Sequence, residues 1–387
     1  MSLAVRSSFT KDWQDLDADS SDDDDTRARK AASAAALREE LGFVVNAENL
    51  VVLAGLGASL SIVNKADSSL KAPRMSDLWA KVEVLPSFKA IEGLFPQDLI
   101  SGKNLEHLLS NAQARLALDP GSAPLAKFVS EAENVVWTSC SFINSDSEVD
   151  SHELFLRKVG RRSTRLQRTQ IFTTNYDLAF ELAARRARFN VIDGFGYGAQ
   201  SFDGASFDLD YVRRRTNEPL ALEPSVVHLL KLHGSVDWDA AAGDVVKVSR
   251  YARPADPVLI YPSSAKFQLS FRQPYLEFMS RFQIALRQSD VGLIVVGSGL
   301  NDEHLVAPIE SALRGNVGLR AVFVTPGAND KTRSPMLTWV DSLVEKGDRR
   351  LTLVAGTFDD LVRLLPDVPT WEERDAHAER ISAKGRV

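Results

Sequence analysis

The sequence predicts an α/β fold built on a doubly wound parallel sheet, with a helical insertion after the first strand. Short apolar runs rich in valine, isoleucine and leucine recur along the chain, as in strands that are covered on both faces. Amphipathic helical stretches separate several of these runs, and such alternation is typical of parallel sheets. Between Ser59 and about Arg168 strand signals are weak and helical ones dominate, which places the insertion there.

The composition limits the class of protein. The chain has 387 residues, of which 44% are hydrophobic and 25% charged, as in an ordinary globular protein. It has no apolar run long enough to span a membrane, and Met1–Lys11 lacks the apolar centre of a signal peptide, so we expect cytoplasmic residence and no membrane contact. The single cysteine, Cys140, excludes an internal disulfide and a multi-cysteine zinc site.

The charge distribution argues against a general nucleic-acid binder, because the net charge is −6. The arginines at 161–162 and 213–215 are predicted to be solvated surface. Residues 1–25 are predicted to be an acidic, disordered tail, since their aspartates repel one another. Trp13 and Leu16 interrupt the charge, so the tail either folds against a partner or only adds solubility.

The remaining segments follow from apolar periodicity and helix-ending residues. They are an N-terminal helical segment over 26–48, the α/β domain over 49–365 with its insertion at about 60–168, and a charged C-terminal tail over 366–387. The predicted strands are Leu50–Ala54, Gln170–Thr173, Phe189–Ile192, Val226–Leu232, Val258–Tyr261, Gly292–Val296, Ala321–Thr325 and Leu351–Val354. The predicted helices are Thr26–Leu41, Leu105–Leu116, Leu125–Val136, Glu153–Arg162, Leu178–Arg188, Pro274–Gln288, His304–Arg314, Pro335–Lys346 and Phe358–Leu365.

A glycine-containing turn follows the first predicted strand. Gly55, Gly57, Ala58 and Ser59 belong to this turn, whose glycines would let the backbone approach a pyrophosphate while the following amides point at its charge. The third glycine of the full dinucleotide fingerprint is absent. A purely structural role for these glycines is the alternative.

Polar residues also occur at the ends of two later predicted strands, Gln170–Thr173 and Val226–Leu232. Thr174, Asn175 and Asp177 come after Phe172, at the sheet edge where open α/β folds bind ligands, but each could instead cap the following helix. His233 comes after Lys231-Leu232, and histidine suits proton transfer near neutral pH. A structural histidine is the alternative, and the other five histidines belong to no motif.

A fourth strand end carries small residues and an acid. Gly297, Ser298 and Gly299 permit close backbone approach, and Asp302 would either bond a ribose hydroxyl or cap the helix that begins near His304.

Together, these strand ends resemble the sirtuin superfamily, specifically its bacterial sirtuin-like branch. Gly55, Gly57 and Ser59 match a Gly-Ala-Gly-x-Ser turn, from which Leu56 departs, and His233-Gly234 match a histidine–glycine pair. The further matches are Asn175, Asp177, Gly297, Gly299 and Asp302, and the likeness extends from about Asn49 to Leu365.

The resemblance implies a Rossmann-like, NAD-binding domain in which NAD is a substrate and no zinc is needed. Asn175 would position the ribose and a water molecule, and His233 would act as general base. The expected reaction is hydrolysis to nicotinamide and ADP-ribose, because the zinc ribbon that supports the peptide cleft of classical sirtuins is absent. Protein deacylation, ADP-ribosyl transfer and a non-catalytic scaffold that senses NAD or ADP-ribose are the alternatives.

The resemblance also implies partners. Zinc-free bacterial members resemble antiviral defence effectors that deplete NAD, and the layout looks most like an effector that assembles with a HerA-type hexameric ATPase. We therefore expect a homo-oligomer that is gated by this ATPase and that associates with DNA only through it.

Overall fold

The computed structural model describes residues 3–10, 12–17, 19–196, 201–241, 243–249, 254–260 and 273–367. The strands are β1 Ala4–Ser7, β2 Gln14–Asp15, β3 Asn49–Ala54, β4 Gln170–Thr173, β5 Asn190–Ile192, β6 Val212–Arg213, β7 Ala221–Leu222, β8 Val226–Lys231, β9 Gly234–Ala241, β10 Asp244–Lys247, β11 Pro257–Leu259, β12 Val291–Val296, β13 Leu319–Val324 and β14 Leu351–Ala355.

The α-helices flank the sheet or form the insertion. They are Asp24–Val45, Met75–Val82, Pro86–Ile91, Gln97–Ser101, Leu105–Leu118, Ala123–Cys140, Asp150–Gly160, Ala179–Ala187, Tyr275–Leu286, Glu303–Gly315, Pro335–Glu345 and Phe358–Leu364. Among the described helices, none is both long and apolar enough to cross a membrane.

The central sheet has nine strands in the order β2-β1-β14-β13-β12-β3-β4-β8-β5. From β14 to β5 every pair is parallel, and all six residues of β3 and of β12 are buried. The chain builds outward from β3 through β4 and later returns to place β12 on the other side of β3. This reversal confirms the predicted doubly wound sheet and creates a crevice outside the ends of β3 and β12.

The register aligns the ends of the central strands. Ala54 pairs with Val296 on one side and with Thr173 on the other, and Thr173 pairs with Lys231. The loops that follow these four residues therefore leave the same edge of the sheet at the same level.

The insertion has a hydrophobic core of its own, in which Phe88 packs on Phe95 and Phe128. Leu178 and Tyr176, which follow β4, pack against this core. The helices of the insertion thus cover one side of the edge at which the loops emerge.

The structure differs from the disordered tail predicted for residues 1–25. Ala4–Ser7 pairs antiparallel with β14, and Ala4 and Val5 are buried there. Asp15 and Asp22 lie near Lys30, at 3.6 and 2.9 Å from its Nζ. The pairing of β1 with β14 and the charge of Lys30 offset the repulsion among the aspartates, on which the prediction of disorder was based. Most of the predicted C-terminal tail, residues 368–387, lies outside the described residues.

Two further predictions need correction. Pro257–Leu259 is not a central parallel strand: it pairs antiparallel with β9 in a separate three-stranded sheet, and Tyr261 lies outside the described residues. Arg162 is buried rather than solvated, because its guanidinium donates to the Gln167 carbonyl and to the Ala47 carbonyl in the segment that follows the first helix.

Candidate active site

Two glycine loops meet at the crevice between β3 and β12. Gly57 N donates to Gly297 O at 2.9 Å, and a Cβ on Gly57 would lie 2.5 Å from Gly297 Cα. Gly297 has a φ of +64°, which favours glycine. The close backbone approach predicted for a pyrophosphate is thus made by the second loop, and the Gly57 and Ala58 amides are used within the protein.

Asn175 is held by the turn after β3. Its Nδ2 donates to Gly55 O at 3.0 Å and to Ser59 Oγ at 2.9 Å. Ser59 is fully buried and donates its own proton to Asp177 Oδ2 at 2.8 Å, so its oxygen must accept from Asn175. This chain of bonds fixes the orientation of the amide and leaves Asn175 Oδ1 as the atom that can meet a ligand.

Asp177 holds both the turn and the following helix. Its Oδ1 accepts from the first-turn amide Ala179 N at 3.0 Å, although the N-cap position itself is Leu178, and its Oδ2 accepts from Ser59. Burial raises the pKa of Asp177, and the positive charge of Lys231 opposes that rise.

Lys231 braces the same loop from the end of β8. Its buried ammonium donates to Tyr176 O at 3.1 Å, to Asp177 O at 2.5 Å and to Glu181 Oε1 at 3.0 Å. Burial also raises the pKa of Glu181, against the opposing effect of the Lys231 charge. The ammonium thereby fixes the backbone that carries Asn175.

His233 lies level with Asn175, because each is two residues beyond a paired position of β8 and β4. It is buried, and its Nε2 lies 2.9 Å from His304 Nε2. His304 belongs to the helix that follows β12, so the contact reaches from β8 across the ends of β4 and β3.

The residues predicted after β12 have different surroundings. Ser298 Oγ accepts from Leu300 N at 3.2 Å. Gly299 is exposed and lines the larger of the two cavities described next. Asp302 occupies the N-cap position of its helix, but its side chain makes no capping bond there.

Two cavities flank the turn after β3, and Leu56 lines both. The smaller, about 180 Å³, is mostly walled by apolar side chains and includes Thr174, Asn175 and Asp177. The larger, about 660 Å³, is lined by Gly57, Gly297 and Gly299, and by Arg74 and further residues after β13 and β14. Neither lining includes His233 among the described residues.

Several contributors were missed by the sequence analysis. His304 and Lys231 carried no signal of their own, since their partners are distant along the chain. Arg74 lies in the insertion, whereas Thr325 and Thr357 follow β13 and β14 at the same sheet edge, a position that could have drawn attention to them. Among the described residues, no three histidine, cysteine or acidic side chains are grouped as in a metal site.

Comparison with known protein families identifies a similarity in the part of the chain that contains Asn175, His233 and His304. No curated protein matches the chain. The family model of the SIR2-like domain matches residues 169–341, just under half of the chain, from the start of β4 into the helix Pro335–Glu345. The match contains Asn175, His233 and His304, whereas the turn at Gly55–Ser59 precedes it and joins it through the sheet. With its Rossmann-like fold, the chain is therefore similar to the SIR2-like domain, which supports a sirtuin-like protein that uses NAD.

Proposed function

We propose that the protein hydrolyses NAD at the bond between nicotinamide and ribose. The observation that carries this proposal is the pair of cavities, one small and one large, that both have Leu56 in their lining at the crevice of a sirtuin-like sheet. NAD has the matching asymmetry: a small aromatic nicotinamide ring, which is a pyridinium cation, at one end and a large, doubly negative ADP-ribose portion at the other.

The smaller cavity suits the nicotinamide ring and its ribose. Pro73, Leu78 and Phe142 provide apolar walls for an aromatic ring, and Asn175 and Asp177 provide polar atoms at one side. Water is displaced from such a space when a ring enters it, which favours cleavage of a charged pyridinium over its retention.

The larger cavity suits the ADP portion. Arg74 is exposed at its lining and supplies a cation for the pyrophosphate, while Asp359 supplies a carboxylate for ribose hydroxyls. Leu56 stands where the two halves of the dinucleotide would join.

The chemistry needs few protein groups. The C1′–nitrogen bond breaks with its electron pair leaving on nicotinamide, a water oxygen bonds to C1′ through an oxocarbenium-like state, and one water proton is released. Asn175 Oδ1 would orient the ribose or the water, and His233 would accept the proton. The products are nicotinamide and ADP-ribose.

The test is nicotinamide release from NAD by the purified chain. Asn175→Ala and His233→Ala should each abolish release, whereas the exposed Asn46→Ala and His107→Ala should not change it. Binding of NAD without release by the chain, alone or with partners, would identify a sensing subunit and refute hydrolysis. Label that passes from NAD to protein would indicate ADP-ribosyl transfer.

We also propose that the enzyme depletes NAD as an antiviral effector, forms a homo-oligomer and is gated by a HerA-type ATPase that also brings it to DNA. Uncontrolled hydrolysis would harm the host, so assembly must limit it. The acidic start of the helix Asp24–Val45 is a suitable contact, since the Asp24 side chain is 97% exposed.

Deletion of residues 1–25 is a poor test of this contact because it removes β1 from the sheet. Charge reversal at Asp24 and Asp25 spares that strand. Loss of co-assembly with the ATPase on size-exclusion chromatography, with unchanged folding, would support the contact; unchanged assembly and regulation would refute it.

A further inference from the structure

The side chain of His304 has no role in the function proposed above, yet it contacts the proposed base directly. His233 Nε2 and His304 Nε2 are 2.9 Å apart, a hydrogen-bonding distance between two groups that can each donate or accept. His233 is buried and His304 is half-buried, so water screens the contact only in part. The inference below rests on the proposed function, in which His233 is the base.

Only one proton can occupy this contact. When His233 Nε2–H donates, His233 carries its basic lone pair on Nδ1. When His304 Nε2–H donates instead, His233 Nδ1 is protonated and neither ring nitrogen of His233 is free to take a proton. The direction of this hydrogen bond therefore determines which ring nitrogen of neutral His233 carries the proton and which carries the basic lone pair.

We propose that His304 is a positioning residue that accepts the hydrogen bond from His233 Nε2–H and so holds His233 in the tautomer with a basic Nδ1. When His233 then takes the proton released by water, it becomes an imidazolium, and its bond to His304 becomes charge-assisted and stronger. His304 thereby plays the part that an orienting group plays behind other catalytic histidines, but without adding a negative charge.

The backbone supports this arrangement from both sides. His233 O accepts from Ile260 N at 2.8 Å, which fixes the strand end that carries the ring. His304 lies in the first turn of a helix whose amides at Leu305 and Val306 are both satisfied by Asp302 O at 3.0 Å. Each imidazole is thus attached to an ordered backbone, and the contact bridges two halves of the sheet.

Three substitutions separate the tautomer role from simple packing. His304→Gln keeps an acceptor oxygen on a side chain of similar reach and should retain kcat within about tenfold. His304→Ala removes the acceptor and should lower kcat by about 100-fold, the lower end of what a general base contributes, with KM changed less than about threefold. His304→Lys offers only donors, so it should lower kcat at least as far as alanine.

The tautomer is also measurable without turnover. Nitrogen-15 NMR of the imidazole rings should show wild-type His233 protonated at Nε2, with that preference kept in His304→Gln and lost in His304→Lys. His233 protonated at Nδ1 in the wild type would overturn the proposal, as would equal activity of the glutamine and lysine variants at equal thermal stability. A change in the nitrogen-15 signals of the two rings on addition of a chelator would overturn it as well, because a metal ion would then bridge the two histidines.

The two proposals fail in different ways. If wild-type protein releases no nicotinamide although His233 has the expected tautomer, hydrolysis is wrong and the histidine pair stands. If release is normal but His304→Ala leaves kcat unchanged, the positioning role is wrong and hydrolysis stands.

Discussion

The Ser59 hydroxyl donates to the Asp177 carboxylate at 2.8 Å, although 118 residues separate them along the chain. Both groups are buried, and the bond joins the turn after β3 to the loop after β4. The same hydroxyl accepts from Asn175, so one serine sets the position of two polar residues at the sheet edge. A residue predicted to touch the cofactor is thus an internal support of the site.

Ser59→Ala should weaken both stability and turnover. It removes two hydrogen bonds and leaves buried polar groups on Asn175 and Asp177 unsatisfied, at a cost of about 1–3 kcal/mol in the free energy of unfolding. Urea denaturation and NAD turnover measure the two effects. The exposed Ser69→Ala is the control, and a Ser59 variant as stable and active as that control would contradict the assigned network.

Lys231→Met should destabilise the protein by about 3 kcal/mol or more. The substitution leaves Glu181 and two carbonyl oxygens without their buried cation, and breaking a buried ion pair on one side is costly. Lys65→Met removes an ion pair of a lysine side chain that is 72% exposed and should change little. Denaturant midpoints compare the two variants, and equal values would refute the bracing role.

Acid should destabilise the fold through two histidines, the buried His152 and the half-buried His228. Burial lowers the pKa of His152 and of His228 from 6.5 to about 4. Because the unfolded chain binds these protons more readily, stability is complete above the unfolded pKa and falls as the pH drops from 6.5 towards 4. Each histidine should lower the free energy of unfolding by about 2 kcal/mol at pH 5 relative to pH 7.5.

Unfolding free energies at these two pH values check the effect. His152 packs against Phe180 and Phe358, so His152→Leu keeps an apolar contact and should remove its share of the pH dependence. If the free energy of unfolding of His152→Leu differs between the two pH values as much as that of the wild type, other groups cause the pH dependence.

Gly297→Ala should disrupt the contact between the two glycine loops and destabilise the protein. Its φ of +64° strains any side chain, and the new Cβ would lie 2.6 Å from Ala58 N. Gly315→Ala is the matched control, because a Cβ there meets nothing within 4 Å. Thermal unfolding should show a clear loss for Gly297→Ala and little change for Gly315→Ala; similar values would mean that the two loops do not depend on their close contact.

Arg74→Gln should raise the KM for NAD about tenfold while leaving kcat nearly unchanged, since the lost ion pair binds substrate and transition state alike. The KM of the wild type should also rise with salt more steeply than that of the variant. Arg29→Gln, at an exposed position of the first helix, is the control. A lower kcat with an unchanged KM would show that Arg74 does not contribute to the binding of NAD.

Much of the sheet was predictable because its strands are apolar on both faces. Gln170–Thr173 was predicted with the bounds that the structure has, and the strands around β3, β12, β13 and β14 were placed within two residues. Ala4–Ser7 was missed since it lies beside an acidic segment, and only pairing with β14 reveals why it is ordered. Gly234–Ala241 was missed because it mixes aspartates with apolar residues and pairs in a separate small sheet.

The sequence by itself determined which residues stand at strand ends, because apolar runs and glycine turns are local signals and parallel strands end at one edge. Asn175, Asp177 and His233 were found in this way. Only the tertiary structure decided how they are joined: Ser59 to Asp177, Lys231 to the loop after β4, and His233 to His304. The reason is the strand order, which places β12 beside β3 although more than 200 residues separate them, and so brings together side chains that no spacing along the chain relates.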